Sequence, residues 1–464
     1  MKNNYDVLII GAGISGICAA YELSIKRKDL KIGILEQGNG IYERSCPIIS
    51  KKVTKCAHCQ ECSIMKGFGG AGSFSDGKFN ITTEFGGWLN SYVSDEEVMN
   101  LIHYVDGINI EFGAPQETLY KNSEKTQAIE REALKHDLHL LNADVKHFGT
   151  ERNLEILKNY YQFLSSRVDI QCNCKVEDIE ISEEGYLVVL ENGINYTTTY
   201  LIMAPGRSGA EWFGNLCKKH GFALTNNQVD IGVRVEVPAI ILEEITSNLY
   251  EAKLKYRTKC YGDIVRTFCM NPYGYVVTEN IDGIITVNGH SYGDQKLRSK
   301  NTNFALLVSG TFTEPFNDPY QYGKRIASCS NLLGDGVIIQ RFGDLISGRR
   351  TTASRLEKSF VHPTLAAAEP GDLSLVIPKR QLDSIIEMLY VLDELAPGIA
   401  NEDTLLYGVE VKFYSSKPRL SKCLEMESKN LFAIGDGAGV TRGISQAAAS
   451  GILVAREILK REGE

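Results

Sequence analysis

The sequence has no excess of basic residues. Its 50 Lys and Arg residues are outnumbered by 58 Asp and Glu residues, which gives a formal net charge of −8 at pH 7 and a pI near 5.7. No stripe of Lys and Arg interleaved with aromatic residues is present either. Because proteins bind phosphate backbones mainly through cationic surfaces, these absences argue against a nucleic-acid partner.

Long apolar runs are also missing. The Ala-rich C-terminal segment is interrupted by Ser450, Gly451 and Arg456, whereas a membrane-spanning helix needs about 20 consecutive, mostly apolar residues. The opening sequence MKNNYDVLII leads directly into a strand, without the apolar run and small-residue cleavage site of a secretory signal. We therefore expect a cytoplasmic protein without a membrane partner.

The first motif with chemical meaning is a GxGxxG sequence formed by Gly11, Gly13 and Gly16. It follows the apolar strand at 7–10 and opens a helix, and Glu36 lies 20 residues beyond Gly16. This order of strand, glycine turn, helix and acid is the dinucleotide-binding fingerprint. The glycines permit a close approach of the backbone to a pyrophosphate, the helix N-terminus attracts the phosphates, and the acid accepts from a ribose hydroxyl.

The C-terminal segment distinguishes FAD from NAD. Residues 431–436, Leu-Phe-Ala-Ile-Gly-Asp, resemble the closing strand of two-domain FAD enzymes, and by that resemblance Asp436 would bind the ribityl or pyrophosphate region. A helix begins near Gly443 and Ile444, so its first amides would face the flavin pyrimidine edge and stabilise negative charge on the reduced ring. NAD alone would not require this return of the chain, and the sequence therefore predicts FAD.

A second literal GxGxxG occurs at Gly67, Gly69 and Gly72. It does not follow an apolar strand, and Ser73–Gly77 is a poor helix start, so we do not interpret it as a nicotinamide site. The five glycines within eleven residues indicate a loop whose amides approach the flavin or its pyrophosphate. NAD(P)H stays open as a co-substrate without a dedicated second Rossmann motif.

With 464 residues and 43% hydrophobic content, the chain is long enough for two domains. We predict an α/β fold in which a Rossmann-type FAD-binding domain, discontinuous in sequence, is joined to a second, mixed β-rich α+β substrate domain. The expected FAD-binding domain covers residues 1–45, 66–90, 142–228 and 405–464, with a cysteine-rich insertion at 46–65, a helical excursion at 91–141 and the substrate domain at 229–404. The predicted cofactor-binding residues are Gly11, Gly13, Ile14, Ser15, Gly16, Glu36, Gly69, Gly70, Ala71, Gly72, Ser75, Val176, Ala204, Gly206, Gly435, Asp436, Gly443 and Ile444.

Several motifs together resemble a known family. They are Cys46-Pro47, the cysteine triplet that ends at Cys62, the glycine-rich string 67–78 and the tail motif Gly-Asp-Gly-Ala-Gly at 435–439. This combination is similar to the largely uncharacterised bacterial FAD-dependent dehydrogenases, within the glutathione-reductase-like NAD(P)/FAD-dependent oxidoreductases. The resemblance implies FAD and a two-domain oxidoreductase fold. At 271–274 the chain has Asn-Pro-Tyr-Gly where the family pattern leads us to expect a Cys-Pro-Gly-Gly-like stretch, so the resemblance implies a cofactor and not a substrate.

Four cysteines, Cys46, Cys56, Cys59 and Cys62, fall within seventeen residues. Two C-x2-C steps share Cys59, which would allow three thiolates to converge on one centre with Cys46 as the fourth ligand of a [4Fe–4S] cluster. A Zn²⁺ ion held by four thiolates would brace the same insertion. A redox disulfide or four reduced thiols are the remaining interpretations.

The substrate domain offers four candidate catalytic residues: Arg266, Cys269, His290 and Arg349. His290 is the proton-transfer candidate because an imidazole titrates near neutrality, and Arg349 would hold an anionic substrate. We expect a FAD-dependent dehydrogenase or reductase that moves hydride or electrons between a small organic substrate and a second redox partner, a ferredoxin-like donor if the cysteines hold an iron–sulfur cluster. A flavin monooxygenase, a flavin-bound RNA-modifying protein and a redox sensor are the alternatives.

Overall fold

The computed structural model describes residues 3–47, 50, 52–53, 59, 61–75, 77–117, 120, 123–249, 251–281, 283–292, 295–313, 315–316, 318–412, 414–415 and 417–463. The strands are β1 Asn3–Ile10, β2 Ile32–Leu35, β3 Lys78–Ile81, β4 His139–Leu141, β5 Asp144–His147, β6 Asp169–Gln171, β7 Val176–Ser182, β8 Gly185–Leu190, β9 Asn195–Met203, β10 Leu224–Thr225, β11 Val229–Pro238, β12 Lys253–Arg257, β13 Ile264–Asn271, β14 Tyr275–Ile281, β15 Ile284–His290, β16 Asn301–Gly310, β17 Ile338–Arg341, β18 Glu369–Pro370, β19 Leu405–Lys412, β20 Lys417–Pro418 and β21 Leu431–Ala433. The helices are α1 Ile14–Lys26, α2 Asp95–Glu111, α3 Glu124–Lys135, α4 Thr150–Ser165, α5 Ala210–Lys219, α6 Ala239–Leu249, α7 Pro319–Gly334, α8 Phe342–Ile346, α9 Ala353–Glu357, α10 Lys379–Leu395 and α11 Ile444–Arg461.

Residue contacts divide the chain into two compact units. The first unit consists of Met1–Leu119, Ala143–Thr225 and Ser415–Glu464, and the second of Tyr120–Asn142 and Asn226–Tyr414. None of the described helices is both long enough and apolar enough to cross a bilayer. The fold is therefore α/β, with a Rossmann-type unit assembled from separate parts of the chain and a second unit that is rich in β-structure.

The first unit is built on a sheet in the order β6-β2-β1-β9-β8-β7. β6, β2, β1 and β9 run parallel, and β21 adds a further parallel strand along the C-terminal half of β9. β8 pairs antiparallel with the N-terminal half of β9. Residues 7–10 are an unbroken apolar run that is buried throughout, as is typical of a parallel strand covered on both faces.

The predicted strand, glycine turn and helix at the start of the chain are confirmed as β1, the turn at Gly11 and α1. Gly11 has φ of +105°, and a Cβ there would overlap the carbonyl oxygen of Ala204. Only glycine meets both requirements, since it tolerates a left-handed backbone and has no side chain. The tail also folds as predicted, since β21 is followed by α11. Gly451 on α11 leaves room for the backbone of Ser15 on α1, so these two helices pack closely.

The second unit is built on a sheet in the order β18-β17-β19-β11-β16-β13-β12-β4. Its central strand β11 reads Val-Asp-Ile-Gly-Val-Arg-Val-Glu-Val-Pro, and the strand is buried on both faces. The alternate residues Val229, Ile231, Val233, Val235 and Val237 join an apolar core. The other face carries charged residues, so this strand alternates between an apolar and a polar buried surface.

The strand β19 belongs to the second unit because it pairs with both β11 and β17, although we expected the flavin-binding part of the tail to begin at residue 405. The hairpin of β14 and β15 forms a separate two-stranded sheet. Val276 and Val287 of this hairpin pack with Ile339 and Tyr407 in a small apolar cluster. The hairpin is thereby anchored to β17 and β19 of the large sheet.

Candidate functional site

A cavity of about 370 Å³ opens at the carboxyl edge of the parallel strands in the first unit. Its walls include Ile10 at the end of β1, Leu35 at the end of β2, Ala204 after β9 and Asp436 after β21. In open α/β sheets, ligands bind in the crevice at the carboxyl ends of the strands. The order and direction of these four strands therefore define the cavity as the candidate cofactor site.

Most of the residues that the motifs nominated for the cofactor lie around this one cavity. The structure brings together Gly11, Gly13, Ile14, Ser15, Glu36, Gly69, Gly70, Ala71, Gly72, Ser75, Val176, Ala204, Gly206, Asp436, Gly443 and Ile444. The two that do not line it are Gly16 and Gly435. A Cβ on Gly16 would overlap the carbonyl oxygen of Gly11, and a Cβ on Gly435 would lie 2.6 Å from the Ser15 hydroxyl, so both glycines allow close packing behind the cavity wall.

Gly13 stands at the N-terminus of α1, where it is the N-cap residue with φ of −72° and ψ of 173°. No heavy atom lies within 4 Å of the position that a Cβ would take on Gly13. The backbone N–H groups of the first helical turn are not satisfied within a helix and carry a partial positive charge. Gly13 therefore combines open space with an anion-attracting helix end, which suits a pyrophosphate.

Glu36 is buried, and its carboxylate already accepts three backbone hydrogen bonds. Ala12 N–H donates to Oε2, and Gly38 N–H and Gly67 N–H donate to Oε1, each at 2.9 Å. A carboxylate has about four lone-pair positions, so one acceptor position is left for a ligand hydroxyl. The sequence predicted only the ligand contact, and the three backbone contacts give Glu36 an additional role in joining the fingerprint turn to the second glycine loop.

The second glycine loop, residues 67–70, lies against the fingerprint turn. Gly69 N–H donates to the carbonyl of Ala12 at 2.7 Å, and a Cβ on Gly70 would lie 3.2 Å from the Cα of Gly13. Both glycine motifs therefore line the same cavity, as we expected of a loop that approaches the cofactor and not of an independent nucleotide fold.

Arg44 is a functional candidate that the motif search did not find. Its guanidinium is buried and donates to the carbonyls of Ser63, Phe68 and Gly70 at 2.7–2.9 Å. Burial lowers the pKa of this guanidinium to about 10, which still leaves it charged at neutral pH. In the sequence it is a single arginine before the cysteine-rich segment, and its position does not predict the backbone carbonyls that it binds.

Charged side chains of both signs surround the cavity. They comprise four cations and two carboxylates: Lys66, Lys175, Arg207 and Arg442, with Glu36 and Asp436. Lys66 and Lys175 form ion pairs with Glu61 at 2.8 Å and Glu191 at 2.5 Å, so their charges are balanced locally. The attraction for a pyrophosphate therefore comes mainly from the helix N-termini.

Asp436 follows β21 and lies in a short 3-10 turn. Its Oδ1 accepts from the Thr441 hydroxyl at 2.8 Å, so the carboxylate has a fixed orientation at the cavity wall. α11 begins directly after Gly443, which is its N-cap residue and offers no side chain to cap the helix. The N-terminus of α11 therefore lines the cavity, and the N–H groups of its first turn have no acceptor within the helix.

Further lining residues were not nominated by the sequence. They are Ile10, Leu35, Gln37, Met65, Lys66, Cys174, Lys175, Pro205, Arg207, Ser208, Gly209, Trp212, Arg442 and Ala447. Many of them are adjacent in sequence to nominated residues, so widening each motif by one or two positions would have found them. Trp212 is different, because it lies on α5 and no motif indicates that this helix reaches the cavity.

Three members of the cysteine cluster are described. Cys46 and Cys62 are partly buried, Cys59 is exposed, and Cys56 lies outside the described residues. The two hydrogen bonds from Arg44 to the Ser63 carbonyl bring the ends of the segment together. Within the described part of the chain, no group of three or more His, Cys, Asp or Glu residues has an arrangement that would hold a metal ion.

Two of the candidate catalytic residues lie on β13 in the second unit. Arg266 donates to Asp230 at 3.1 Å and to the Ser309 hydroxyl at 2.9 Å. Cys269 has φ of +39° at a register shift in the strand, and its carbonyl accepts from Arg234 at 2.7 Å. A left-handed backbone in a non-glycine residue costs free energy that the surroundings must supply, and here Arg234 fixes the carbonyl.

The other two candidates have different surroundings. His290 ends β15, and its ring meets that of Tyr292 edge-on with a centroid distance of 4.8 Å. Arg349 is half-exposed and pairs with the buried carboxylate of Asp344 at 2.8 Å. Arg349 therefore forms a local ion pair just after α8. His290 directly follows Gly289, and Gly289 packs against Arg234.

Arg234 is the centre of a buried polar cluster that the sequence did not reveal. Its side chain is fully buried, and it forms an ion pair with the equally buried Glu410 at 2.9 Å. It also donates to Asn288 on the hairpin at 2.9 Å, besides the Cys269 carbonyl. The cluster therefore fastens the hairpin, the bulge of β13 and the strand β19 to β11.

Comparisons with known proteins agree with this description. A family described as "FAD-dependent protein, C-terminal domain-like" matches residues 228–413, a range that corresponds to most of the second unit. A protein of Clostridium beijerinckii, described as "Uncharacterized protein", is 28% identical to this chain. The alignment has a length of 480 and covers 98% of this chain and 80% of that protein.

Similar solved structures include glycine oxidase from Geobacillus kaustophilus, with 14% identity, a TM-score of 0.40 and coverage of 99% of this chain and 95% of the other. L-proline dehydrogenase from P. horikoshii has 10% identity, a TM-score of 0.41 and the same coverage. Sdh1 of Mycobacterium smegmatis, in complex with UQ1, has 14% identity, a TM-score of 0.45 and coverage of 100% and 70%.

The residues around the cavity fit FAD. The open space at Gly13 and the two helix N-termini suit an extended dinucleotide, and the family that matches the second unit is one of FAD-dependent proteins. FAD supplies hydride and single-electron chemistry. The cavity is therefore a candidate FAD site, in a chain whose second unit matches a family of FAD-dependent proteins.

Proposed function

We propose that the chain is a dehydrogenase or reductase that transfers hydride or electrons between a small organic substrate and a second redox partner through FAD. The single observation that supports this most strongly is the cavity at the carboxyl edge of the first unit, where two glycine motifs and two helix N-termini meet. We also propose that the chain belongs with the bacterial FAD-dependent dehydrogenases that its motifs resemble.

Within the first unit, each wall of the cavity has a proposed part in holding the cofactor. The first-turn amides of α1, next to Gly13, bind the pyrophosphate. Glu36 accepts from a ribose hydroxyl with its remaining lone-pair position. Asp436, oriented by Thr441, binds the ribityl or pyrophosphate region, and the first amides of α11 stabilise negative charge on the reduced ring.

In the second unit we propose Arg266, Cys269 and His290 as residues that handle the substrate, with Arg349 as an anion contact. The buried cluster at Arg234 supports Cys269 and His290 because it fixes the Cys269 carbonyl and packs against the residue before His290. Arg266 is held separately, by Asp230 and Ser309. Positions held this rigidly suit the orientation of a substrate and the transfer of a proton.

Anaerobic titration tests the proposed function. The purified holoprotein is mixed with NADH, NADPH, reduced ferredoxin and a panel of small amines, amino acids and hydroxy acids while bleaching of the flavin is followed. We expect one of these donors to reduce the flavin, since an oxidoreductase must accept electrons from a partner. Bleaching by a nicotinamide contradicts a ferredoxin-like donor, and bleaching by none of the donors contradicts the oxidoreductase proposal in favour of a sensor.

The cysteine-rich segment leads to a separate proposal, a [4Fe–4S] cluster or a Zn²⁺ ion that involves Cys46, Cys56, Cys59 and Cys62. We expect iron or zinc in protein purified without oxygen, and we expect Cys59→Ser and Cys62→Ser each to lose it because thiolates bind these metals far better than hydroxyls. Cys329→Ser, which changes an exposed cysteine of the second unit, is the control and keeps the metal. A metal-free wild-type protein contradicts the proposal.

A further inference from the structure

The second glycine loop, residues 67–70, is held on one side by a buried arginine. We term it the cofactor loop from here on. Arg44 donates from Nη1 to the carbonyls of Phe68 at 2.7 Å and Gly70 at 2.9 Å, and to the hydroxyl of Ser73 at 2.7 Å. The same side chain donates from Nε and Nη2 to the carbonyl of Ser63 at 2.9 and 2.8 Å. One guanidinium thus binds both the cofactor loop and the end of the cysteine-rich segment.

The conformation of the cofactor loop matches this arrangement. Gly67, Gly69 and Gly70 have φ values of +111°, +88° and +60°, which side-chain-bearing residues rarely adopt. These left-handed glycines turn the peptide groups so that the carbonyls of Phe68 and Gly70 both reach one planar donor. A guanidinium presents five N–H donors in a fixed fork, whereas an ammonium group presents three without that planarity.

The opposite side of the cofactor loop is attached to the fingerprint turn. Gly67 N–H donates to Glu36 at 2.9 Å, and Gly69 N–H donates to the Ala12 carbonyl at 2.7 Å. Gly70 packs against the Cα of Gly13. A displacement of the loop would therefore change the cavity wall next to Gly13, at the N-terminus of α1. The loop is therefore clamped between a carboxylate and a guanidinium.

The partners of Arg44 have no charge of their own. They are the carbonyl oxygens of Ser63, Ile64, Phe68 and Gly70 and the hydroxyl of Ser73. The carboxylate of Glu36 also acts electrostatically on this cation and offsets its field, so the effect of Arg44 lies in the hydrogen bonds that shape the loop. Removing the guanidinium would leave several buried carbonyls without a donor.

We propose that Arg44 is a positioning residue for the cofactor. It holds the cofactor loop against the fingerprint turn and ties it to the carboxyl end of the cysteine-rich segment. This inference rests on the FAD-binding function proposed above. Arg44 is not among the residues that line the cavity, so it acts on FAD through the loop and not through direct contact.

The first experiment measures FAD affinity in Arg44→Lys and Arg44→Met by titration of the apoprotein. We expect the Kd for FAD to rise by roughly tenfold or more in Arg44→Met, and by less in Arg44→Lys, because charge-assisted hydrogen bonds that shape the loop are lost. The control is Arg167→Met. Arg167 is an arginine of the first unit that also donates to a backbone carbonyl, that of Phe163 at 2.8 Å, but has no contact with the loop, and its substitution should leave the Kd unchanged.

The second experiment separates positioning from general destabilisation. In Arg44→Ala, added methylguanidinium should restore FAD binding in part, whereas methylammonium at the same concentration should not, because only the planar ion reproduces the fork of donors. The free energy of unfolding of the FAD-free variant is measured with each ion as well. Recovery of stability with methylguanidinium without recovery of the Kd for FAD would show a merely structural role and contradict the proposal. If Arg44→Met and Arg44→Ala do not fold, the Kd of Arg44→Lys decides, and a value equal to that of wild type contradicts the proposal.

The two proposals fail in different ways. If wild-type protein binds no FAD, the proposed function is wrong. If wild type binds FAD but Arg44→Met binds it with the same Kd, the function stands and the positioning role of Arg44 is wrong. Hydrogen exchange of the amides of residues 67–72 gives the same distinction without cofactor, since we expect faster exchange in Arg44→Lys than in Arg167→Met.

Discussion

Replacement of Gly13 by alanine should remove most of the FAD affinity and leave the apoprotein as stable as wild type. Gly13 has an extended backbone that any residue adopts, and no atom lies within 4 Å of a Cβ at this position. In the holoprotein the same methyl group would occupy space at the N-terminus of α1 that the pyrophosphate needs. We expect the Kd for FAD to rise by at least about 30-fold, or roughly 2 kcal/mol, which is typical of a steric overlap in a well-packed site.

Two other glycines serve as matched controls. Gly107 is an exposed glycine of α2 with open space around a Cβ, so Gly107→Ala should leave the Kd for FAD unchanged and stabilise the helix slightly. Gly11→Ala is the opposite case. Because of its positive φ and the overlap with Ala204, this change should lower the free energy of unfolding of the apoprotein by roughly 2 kcal/mol.

The test compares the Kd for FAD and the free energy of unfolding of the apoprotein among the three glycine variants. Loss of affinity in Gly13→Ala with an unchanged apoprotein unfolding curve places the cofactor against the fingerprint turn. An FAD Kd in Gly13→Ala that equals the value in Gly107→Ala would show that the cofactor does not approach this turn, and the proposed binding site would then be wrong.

The largest effect on stability is expected from Arg234→Met in the second unit. Both Arg234 and Glu410 are fully buried and form an ion pair at 2.9 Å, and Glu410 also pairs with Lys412 at 2.9 Å. The substitution therefore removes one of the two cations of a buried carboxylate. Breaking a buried pair by removing one partner costs about 3–5 kcal/mol, and the remaining pair with Lys412 should keep the loss near the lower end of that range. We expect a loss of that size in the free energy of unfolding, measured by urea denaturation, together with the release of the Cys269 carbonyl and Asn288.

The control for this prediction is an exposed arginine of the same unit. Arg380 pairs with Asp263 at 2.6 Å while more than half of its side chain is exposed, and exposed ion pairs contribute about 0–1 kcal/mol. Arg380→Met should therefore have little effect. The double variant Arg234→Met with Glu410→Gln should be less destabilised than the sum of the two single variants, since the carboxylate that lost its arginine is then replaced by a neutral amide. Equal losses in Arg234→Met and Arg380→Met would contradict the structural role of the cluster.

The arrangement of the first unit followed from the sequence because its signals are local. The apolar run at 7–10, the glycine turn and the tail motif at 431–436 each fix a strand and the loop after it. Parallel strands bring their carboxyl ends to one edge of a sheet, so residues more than 400 positions apart, such as Gly11 and Asp436, could be expected at one cavity, and both line it.

Contacts that depend on long-range backbone geometry could not be predicted in this way. Arg44 binds carbonyl groups, and every residue has a carbonyl, so the sequence gives no sign of which ones it meets. The same holds for Glu36, whose three amide donors come from three different loops. The motif predicted the acid and its ligand hydroxyl but not the clamp on the cofactor loop.

The second unit shows a further limit of pattern analysis. Alternation in β11 predicts two faces, but it does not reveal that the face with Arg234 is also buried, because that burial comes from the β14–β15 hairpin and from β19. Charged residues at alternate positions usually indicate a solvated face. Arg266, Cys269 and His290 were chosen for their chemistry and for their position in β-rich segments near Gly or Pro turns. Arg234 was not proposed as a site residue, although it contacts the Cys269 carbonyl and the residue before His290.

The most direct test of the central claim is the flavin content of the purified chain. The protein is isolated, its visible absorption spectrum is recorded, and the ligand released by denaturation is identified by chromatography and mass. We predict stoichiometric FAD in wild-type protein and little or none in Gly13→Ala. Release of FMN or of a nicotinamide dinucleotide, or failure of the apoprotein to bind added FAD, would contradict the account.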